Sequence, residues 1–236
     1  MTHRYVALDL ETTGLNTLTA CPLEIGAVEI LENDPRGPYG RVLGFVPHTP
    51  DAVLHKASPD ALAVNRFYER RLYAAMLRPA ETADMMLELV ELLRGATLVG
   101  ANVAYDAAIL WAWLATFTDD ETPPWHFRLY DVELATEVAL NLDRTPSLRS
   151  SCELWNVDTD RDAAHTALGD AYMAADVFLA VRAHCRGDEP DQHPANVVPI
   201  IPRAVGGASV SSASSRSRCL CHTSELAPCP IHNGPL

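Results

Sequence analysis

Residues 4–15 read Arg4-Tyr5-Val6-Ala7-Leu8-Asp9-Leu10-Glu11-Thr12-Thr13-Gly14-Leu15. Tyr5 to Leu10 alternates in polarity and is bounded by Thr-Thr-Gly, which predicts a β-strand. Side chains alternate across a strand, so Asp9 and Glu11 project from one face, about 6.6 Å apart along it. Val6, Leu8 and Leu10 face the other way, and the small Ala7 leaves space on the acidic face. Two carboxylates on one face of an apolar strand are costly unless they are paired or hold a metal. The competing explanation is a strand end that emerges into solvent.

Working outward, Leu23 to Leu31 and Arg41 to Val46 read as further strands. The turn Asn33-Asp34-Pro35-Arg36-Gly37 between them implies an antiparallel pair. Helical spacing covers Pro59 to Leu77, with Ser58 as N-cap and Pro59 at the first helical position, and Thr82 to Leu93. A short buried strand is expected at Thr97 to Gly100 and a helix at Ala104 to Phe117. Then come a strand at Phe127 to Tyr130 and helices at Asp131 to Leu140, Ser147 to Trp155 and Ala167 to His184. Strands first, then strands alternating with helices, predict an α/β fold: a mixed sheet with helices on its faces.

The chain has 236 residues, 48% of them hydrophobic, enough for one domain with a substantial core. Against 18 Lys+Arg stand 31 Asp+Glu, a net charge of −13, which argues against a broad basic surface gripping nucleic acid. No apolar run approaches the roughly 18–20 residues of a membrane span, so no membrane role is expected. The start of the chain lacks the apolar stretch of a secretory signal, and six Cys are ordinary in a reducing compartment, so the expected location is the cytoplasm. Residues 1–186 carry dense apolar periodicity. Residues 187–218 are rich in Pro, Ser and Gly and read as a linker. Residues 219–236 form a Cys/His-rich tail.

Two further motifs carry carboxylates. In Leu98-Val99-Gly100-Ala101-Asn102-Val103-Ala104-Tyr105-Asp106 a buried strand ends, a turn follows, and Asp106 falls in the first turn of a helix. An Asp there also suits the helix dipole with no further role. In His165-Thr166-Ala167-Leu168-Gly169-Asp170 a spacing of five residues turns about 140° on a helix, so His165 and Asp170 cannot share a helical face. His165 is therefore expected at or before the helix start, with Asp170 inside it. The plainer alternative is a capped helix with a surface His.

Taken in order, ALDLETTGL with LEIGAVEI, then LVGANVAYDAAIL, then HTALGDAYMAADVF resemble the DEDDh 3′–5′ exonucleases. That group includes bacterial proofreading subunits, ribonuclease T and oligoribonuclease. The resemblance covers roughly residues 4 to 184 and implies a ribonuclease H-like fold, a mixed five-stranded sheet flanked by helices. It implies that Asp9, Glu11, Asp106 and Asp170 hold two Mg²⁺ or Mn²⁺ ions and that His165 is the general base. It further implies that Thr12, Thr13, Leu15 and Asn102 meet the terminal nucleotide, partly through backbone amides. Four carboxylates in one pocket demand cations or protons at neutral pH, and oxygen ligands suit Mg²⁺ or Mn²⁺. Two ions about 3.5–4 Å apart activate a water and stabilise a leaving 3′ oxygen. They would also offset four of the acids, leaving about −9 of the charge.

The implied reaction is 3′–5′ hydrolysis at single-stranded or frayed nucleic-acid ends, with DNA favoured. RNA-directed cleavage of the oligoribonuclease or ribonuclease T type is the alternative, and a non-catalytic binding module is the alternative of another class. Proofreading would need a separate polymerase. The sequence departs from the family pattern at Ala101, where many relatives carry His, and at Tyr105, where they often carry Phe. The stretch Asp51 to Arg78 lacks the usual family phrase and predicts a divergent helix. Arg66, Arg70 and Arg71 there either track a phosphate backbone or form a solvated face. Trp111 and Trp113 read as helix core. In the tail, Cys219 (or His222), Cys221, Cys229 and His232 offer a ligand set for one Zn²⁺, against a tail with incidental thiols.

Overall fold

The structure, a computed structural model, describes residues 3–117, 121–159 and 166–188. The anticipated tail site lies outside the described residues. The first three strands are β1 (Tyr5–Thr12), β2 (Pro22–Ile30) and β3 (Tyr39–Phe45). Three short helices, α1 (Asp51–Leu54), α2 (Pro59–Val64) and α3 (Leu72–Ala75), lead to the longer α4 (Pro79–Leu93). Next come β4 (Thr97–Gly100), α5 (Val103–Leu114), β5 (Tyr130–Asp131) and α6 (Val132–Leu140). The helices α7 (Leu148–Trp155) and α8 (Ala167–Arg186) follow.

The sheet order is β3-β2-β1-β4-β5. β2 runs antiparallel to β1 and to β3, while β4 runs parallel to β1 and to β5. This is the mixed five-stranded sheet expected from the sequence. Its central strand separates two apolar layers. Val6, Leu8 and Leu10 of β1 pack with Leu89, Leu92 and Leu93 of α4 and Val103, Ala107 and Leu110 of α5. Ala7 packs on the other side with Ala171, Ala174, Ala175 and Phe178 of α8. Asp9 and Glu11 share the Ala7 face and so point toward the start of α8. Trp111 and Trp113 pack, partly buried, against the α4–α5 layer.

Two expected elements change. The long helix at 59–77 is broken: α2 ends at Val64, and Arg66 and Arg71 adopt left-handed backbone with φ of 51° and 55°. These bends let Leu62, Phe67 and Leu72 reach one small core with Leu23 and Val46. The strand at 127–130 shrinks to Tyr130–Asp131, where the pairing with Val99 and Gly100 begins. Phe127 is instead exposed. Helix starts follow their caps: Ser58 accepts from Ala61 N, Asp131 from Glu133 N and Leu134 N, Ser147 from Ser150 N, and Thr166 from Gly169 N.

The approach of α8 to the sheet depends on Gly26, which pairs with Asp9 across β1 and β2. A Cβ at Gly26 would sit 2.3 Å from the Ala167 carbonyl carbon and oxygen and 2.4 Å from Leu168 N. All three are backbone atoms, so the helix itself would have to retreat. Gly26→Ala is expected to cost about 1–3 kcal/mol, the usual range for overpacking. Urea unfolding measures it. Gly14→Ala is the control, because its Cβ meets only Ser58 Cβ at 3.7 Å. Equal midpoints for the two variants would show that α8 is not seated through Gly26.

Candidate active site

Three carboxylates meet at the C-terminal end of β1. Asp9 and Glu11 arrive from the strand, and Asp170 arrives from the first turn of α8. One ligand oxygen from each lies within 4.8 Å of the other two. Glu11 is buried, whereas Asp9 and Asp170 are half-buried. Asp170 reaches this place because Thr166 fixes the start of α8 and Gly26 lets that start press on the sheet. The strand end does not emerge into solvent.

Asp106 is also buried, beside this group and outside the set of three. Its Oδ1 accepts the Leu10 amide at 3.1 Å. The side chain is therefore committed to β1, which a helix-dipole role alone does not explain. Burial, then the charges of Asp106, Asp170, Glu11 and Glu24, raise the Asp9 carboxyl well above its ordinary range. Glu11 is pushed up to about 7, first by burial and then by Asp170 and Glu24, with Arg70 opposing. Burial pushes Asp106 up to about 8 despite the hydrogen bond from Leu10. Desolvated like charges at short range hold protons unless cations take their place.

The stretch after β1 is tied down from several sides. Thr13 exchanges hydrogen bonds with Cys21: its amide donates to the Cys21 carbonyl, and its Oγ1 accepts the Cys21 amide, both at 2.9 Å. Ser58 N donates to the Thr13 carbonyl at 2.8 Å, and Asn65 Nδ2 donates to the Thr12 carbonyl at 2.9 Å. Tyr105 Oη donates to the Gly14 carbonyl at 2.6 Å and lies 3.2 Å from Thr12 Oγ1. Thr12 and Thr13 are buried, whereas Leu15 is 87% exposed. The Thr13 amide is already donated, so a backbone-amide contact with a nucleotide cannot come from it. Asn102 is exposed and left-handed, with φ 47°, at the start of α5. His165 falls outside the described residues.

Sequence reasoning missed several neighbours. Glu24 lies directly across from Glu11 in the β1–β2 register. Arg70 Nη2 bonds both Glu24 oxygens at 2.8 Å. Of the three arginines expected to act together, Arg70 turns inward while Arg66 and Arg71 are exposed. The Glu24, Gly26 and Asn65 roles depend on register and on backbone reversals, which no local pattern announces. Tyr105 did carry a signal, as a departure from the family's Phe.

A sheet of this order, with acids converging at the end of its central strand, defines a ribonuclease H-like fold of the exonuclease kind. Residues 6–178 match the RNase T family, described as exonuclease, and the chain belongs to that family of 3′–5′ exonuclease hydrolases. Membership implies divalent metal ions, in keeping with the Asp9, Glu11 and Asp170 cluster. The DNA polymerase III subunit epsilon of Escherichia coli strain K12 is 29% identical over 188 residues, covering 75% of this chain and 71% of that protein. Ribonuclease T of Hahella chejuensis is 29% identical over 198 residues, covering 75% and 82%. The structure of E. coli exonuclease I in complex with a dA16 oligonucleotide superposes with a TM-score of 0.59 at 17% identity. That match covers 77% of this chain and spans 41% of that chain, and it shows the fold alone.

The raised pKa values set the pH dependence of the metal-free protein. Glu11 at about 7 and Asp106 at about 8 keep protons in the folded state that the unfolded chain releases at 4.5 and 3.8. Between these limits the folded state binds more protons, so stability falls as pH rises. Divalent cations favour deprotonated acids, so they are expected to reverse that loss. Thermal melts in a chelator are expected to drop between pH 5 and pH 8, and Mg²⁺ or Mn²⁺ to raise the midpoint more at pH 8. Equal metal-induced shifts at both values would contradict the cluster's role.

Proposed function

We propose that this chain is a metal-dependent 3′–5′ exonuclease acting on single-stranded or frayed DNA ends. The observation that carries the reading is the convergence of Asp9, Glu11 and Asp170 on one point, with buried Asp106 beside them. The donor set fits hard cations: all three converging ligands are carboxylates, and no thiol or imidazole joins them among the described residues. Asp9, Glu11, Asp106 and Asp170 would hold two Mg²⁺ or Mn²⁺ ions. When bound, such ions supply Lewis-acid activation of a water and stabilise charge on the leaving oxygen.

The chain's own residues do the rest. His165, next in sequence to the helix cap Thr166, takes a proton from the attacking water; an imidazole with an ordinary pKa of about 6.5 suits that work at neutral pH. The bond between phosphorus and the 3′ oxygen breaks, releasing a nucleoside monophosphate and a shortened strand with a free 3′ hydroxyl. Thr12, Thr13, Leu15 and Asn102 line the place of the terminal nucleotide. The exposed Leu15 supplies apolar surface for it, and the anchored Thr12 and Thr13 hold the loop that carries Leu15.

Ribonuclease T among the relatives favours a second reading, in which the substrate is RNA. A separate polymerase is the proposed partner, because the epsilon relatives are polymerase subunits. The proposed location is the cytoplasm; no described helix is long and apolar enough to cross a membrane, and the described cysteines are free thiols. We also assign residues 1–186 to the catalytic domain, 187–218 to a linker and 219–236 to a tail, with Cys219, Cys221, Cys229 and His232 as its zinc ligands. The end of α8 at Arg186, closed by left-handed Gly187, supports the first boundary.

End-labelled DNA and RNA oligonucleotides of matched sequence, digested with Mg²⁺ and with Mn²⁺, test the function. DNA is expected to shorten from its 3′ end, and Asp9→Ala or Asp170→Ala to slow this by more than about 100-fold. Digestion of RNA alone selects the second reading. No digestion of either polymer leaves a binding module and overturns the enzyme reading.

Truncation after Arg186 tests the boundary. The core is expected to keep its melting transition and its nuclease activity. An insoluble or inactive product would assign the tail to the domain.

A further inference from the structure

We propose that Arg70 withholds Glu24 from the cation site, keeping a fifth carboxylate beside the cluster out of metal binding. This rests on the reading of Asp9, Glu11, Asp106 and Asp170 as the metal ligands.

Three observations support it. First, Glu24 is placed like a ligand. It stands opposite Glu11 in register, and directly opposed residues hold their Cβ atoms about 4.5–5.5 Å apart. Its negative charge acts on both Asp9 and Glu11. Second, Glu24 is not among the converging oxygens, which come from Asp9, Glu11 and Asp170. Third, both Glu24 oxygens are occupied. Arg70 Nη2 donates to each at 2.8 Å, and Ala167 N donates to Oε2 at 3.4 Å. The pair is largely enclosed, with side-chain exposures of 17% for Arg70 and 14% for Glu24. The guanidinium is anchored in turn, because Nη1 donates to the Asn65 carbonyl at 3.3 Å. Left-handed bends at Arg66 and Arg71 flank this stretch and turn it toward the sheet.

The consequence is electrostatic. Two divalent cations balance four carboxylates, and a site so balanced accepts the negative phosphodiester. A fifth ionised acid without its guanidinium would tip the site negative. That acid would attract cations more strongly and repel phosphate. Arg70 is therefore a positioning residue that reserves the cations' charge for the substrate. Its loss should move cation binding and phosphate binding in opposite directions, which general damage to the fold would not do.

Calorimetric titration of the full-length chain tests this, first with Mn²⁺ alone and then with thymidine monophosphate at saturating Mn²⁺. Arg70→Met is expected to tighten Mn²⁺ binding by about tenfold, or to add an equivalent, while weakening the nucleotide by about tenfold. Arg70→Lys keeps the charge and should stay near wild type. The double variant Arg70→Met/Glu24→Gln removes both charges and should restore both affinities; it also serves if Arg70→Met alone does not fold. The inference fails if Arg70→Met leaves both affinities unchanged or weakens both together. It fails equally if the double variant loses Mn²⁺ equivalents, since Glu24 would then be a ligand. A wild-type chain that takes up no Mn²⁺ overturns the underlying metal assignment and this inference with it.

Discussion

Carboxylates crowded into a half-dry space repel one another, and the architecture answers to that repulsion. At an effective dielectric of about 20, two unit charges 4 Å apart cost about 4 kcal/mol. One oxygen from each of Asp9, Glu11 and Asp170 lies within 4.8 Å of the other two, where the cost is only slightly smaller. The cluster cannot hold itself together, so the surrounding layers must. Leu8 and Leu98 lock the sheet to α4 and α5 on one side, and Phe178 and its alanine neighbours lock α8 on the other. Alanines at 171, 174 and 175 keep α8 close to the sheet, and Gly26 removes the last obstacle at its first turn. Hydrophobic packing thus supports an arrangement that electrostatics alone would disperse.

The same constraint gives the net charge of −13 a local meaning. Spread over the surface, that charge repels a phosphate backbone within a Debye length of about 8–10 Å. At the end of β1 several of the acids are concentrated instead, where divalent cations would balance them. Arg66 and Arg71 remain exposed as local positive charges on that surface. Arg70, next to one of them in sequence, is spent inward on Glu24.

Much of this was legible from residues alone. The alternation at 5–10 placed Asp9 and Glu11 on one face, and the five-residue spacing from His165 put Asp170 inside the last helix. The connection at 59–77 was not legible, for a geometric reason. Leu62, Phe67 and Leu72 are five residues apart, so a continuous helix would scatter them around its circumference, about 140° per step. Left-handed bends at Arg66 and Arg71 recur at the same interval of five and bring all three to one core. Arginine does not advertise such a conformation as glycine would. Glu24 escaped notice for a related reason: its partner across the sheet depends on where the β1–β2 register falls, which is settled over the long segment between the strands.

Tyr105 and Asp106 are adjacent, yet they hold different things. Asp106 takes the Leu10 amide just past Asp9, while Tyr105 grips the Gly14 carbonyl in the loop beyond β1. The first turn of α5 is thereby a common datum for the acids and for the loop beside them. A displacement of that turn shifts both in concert and preserves the interval between them.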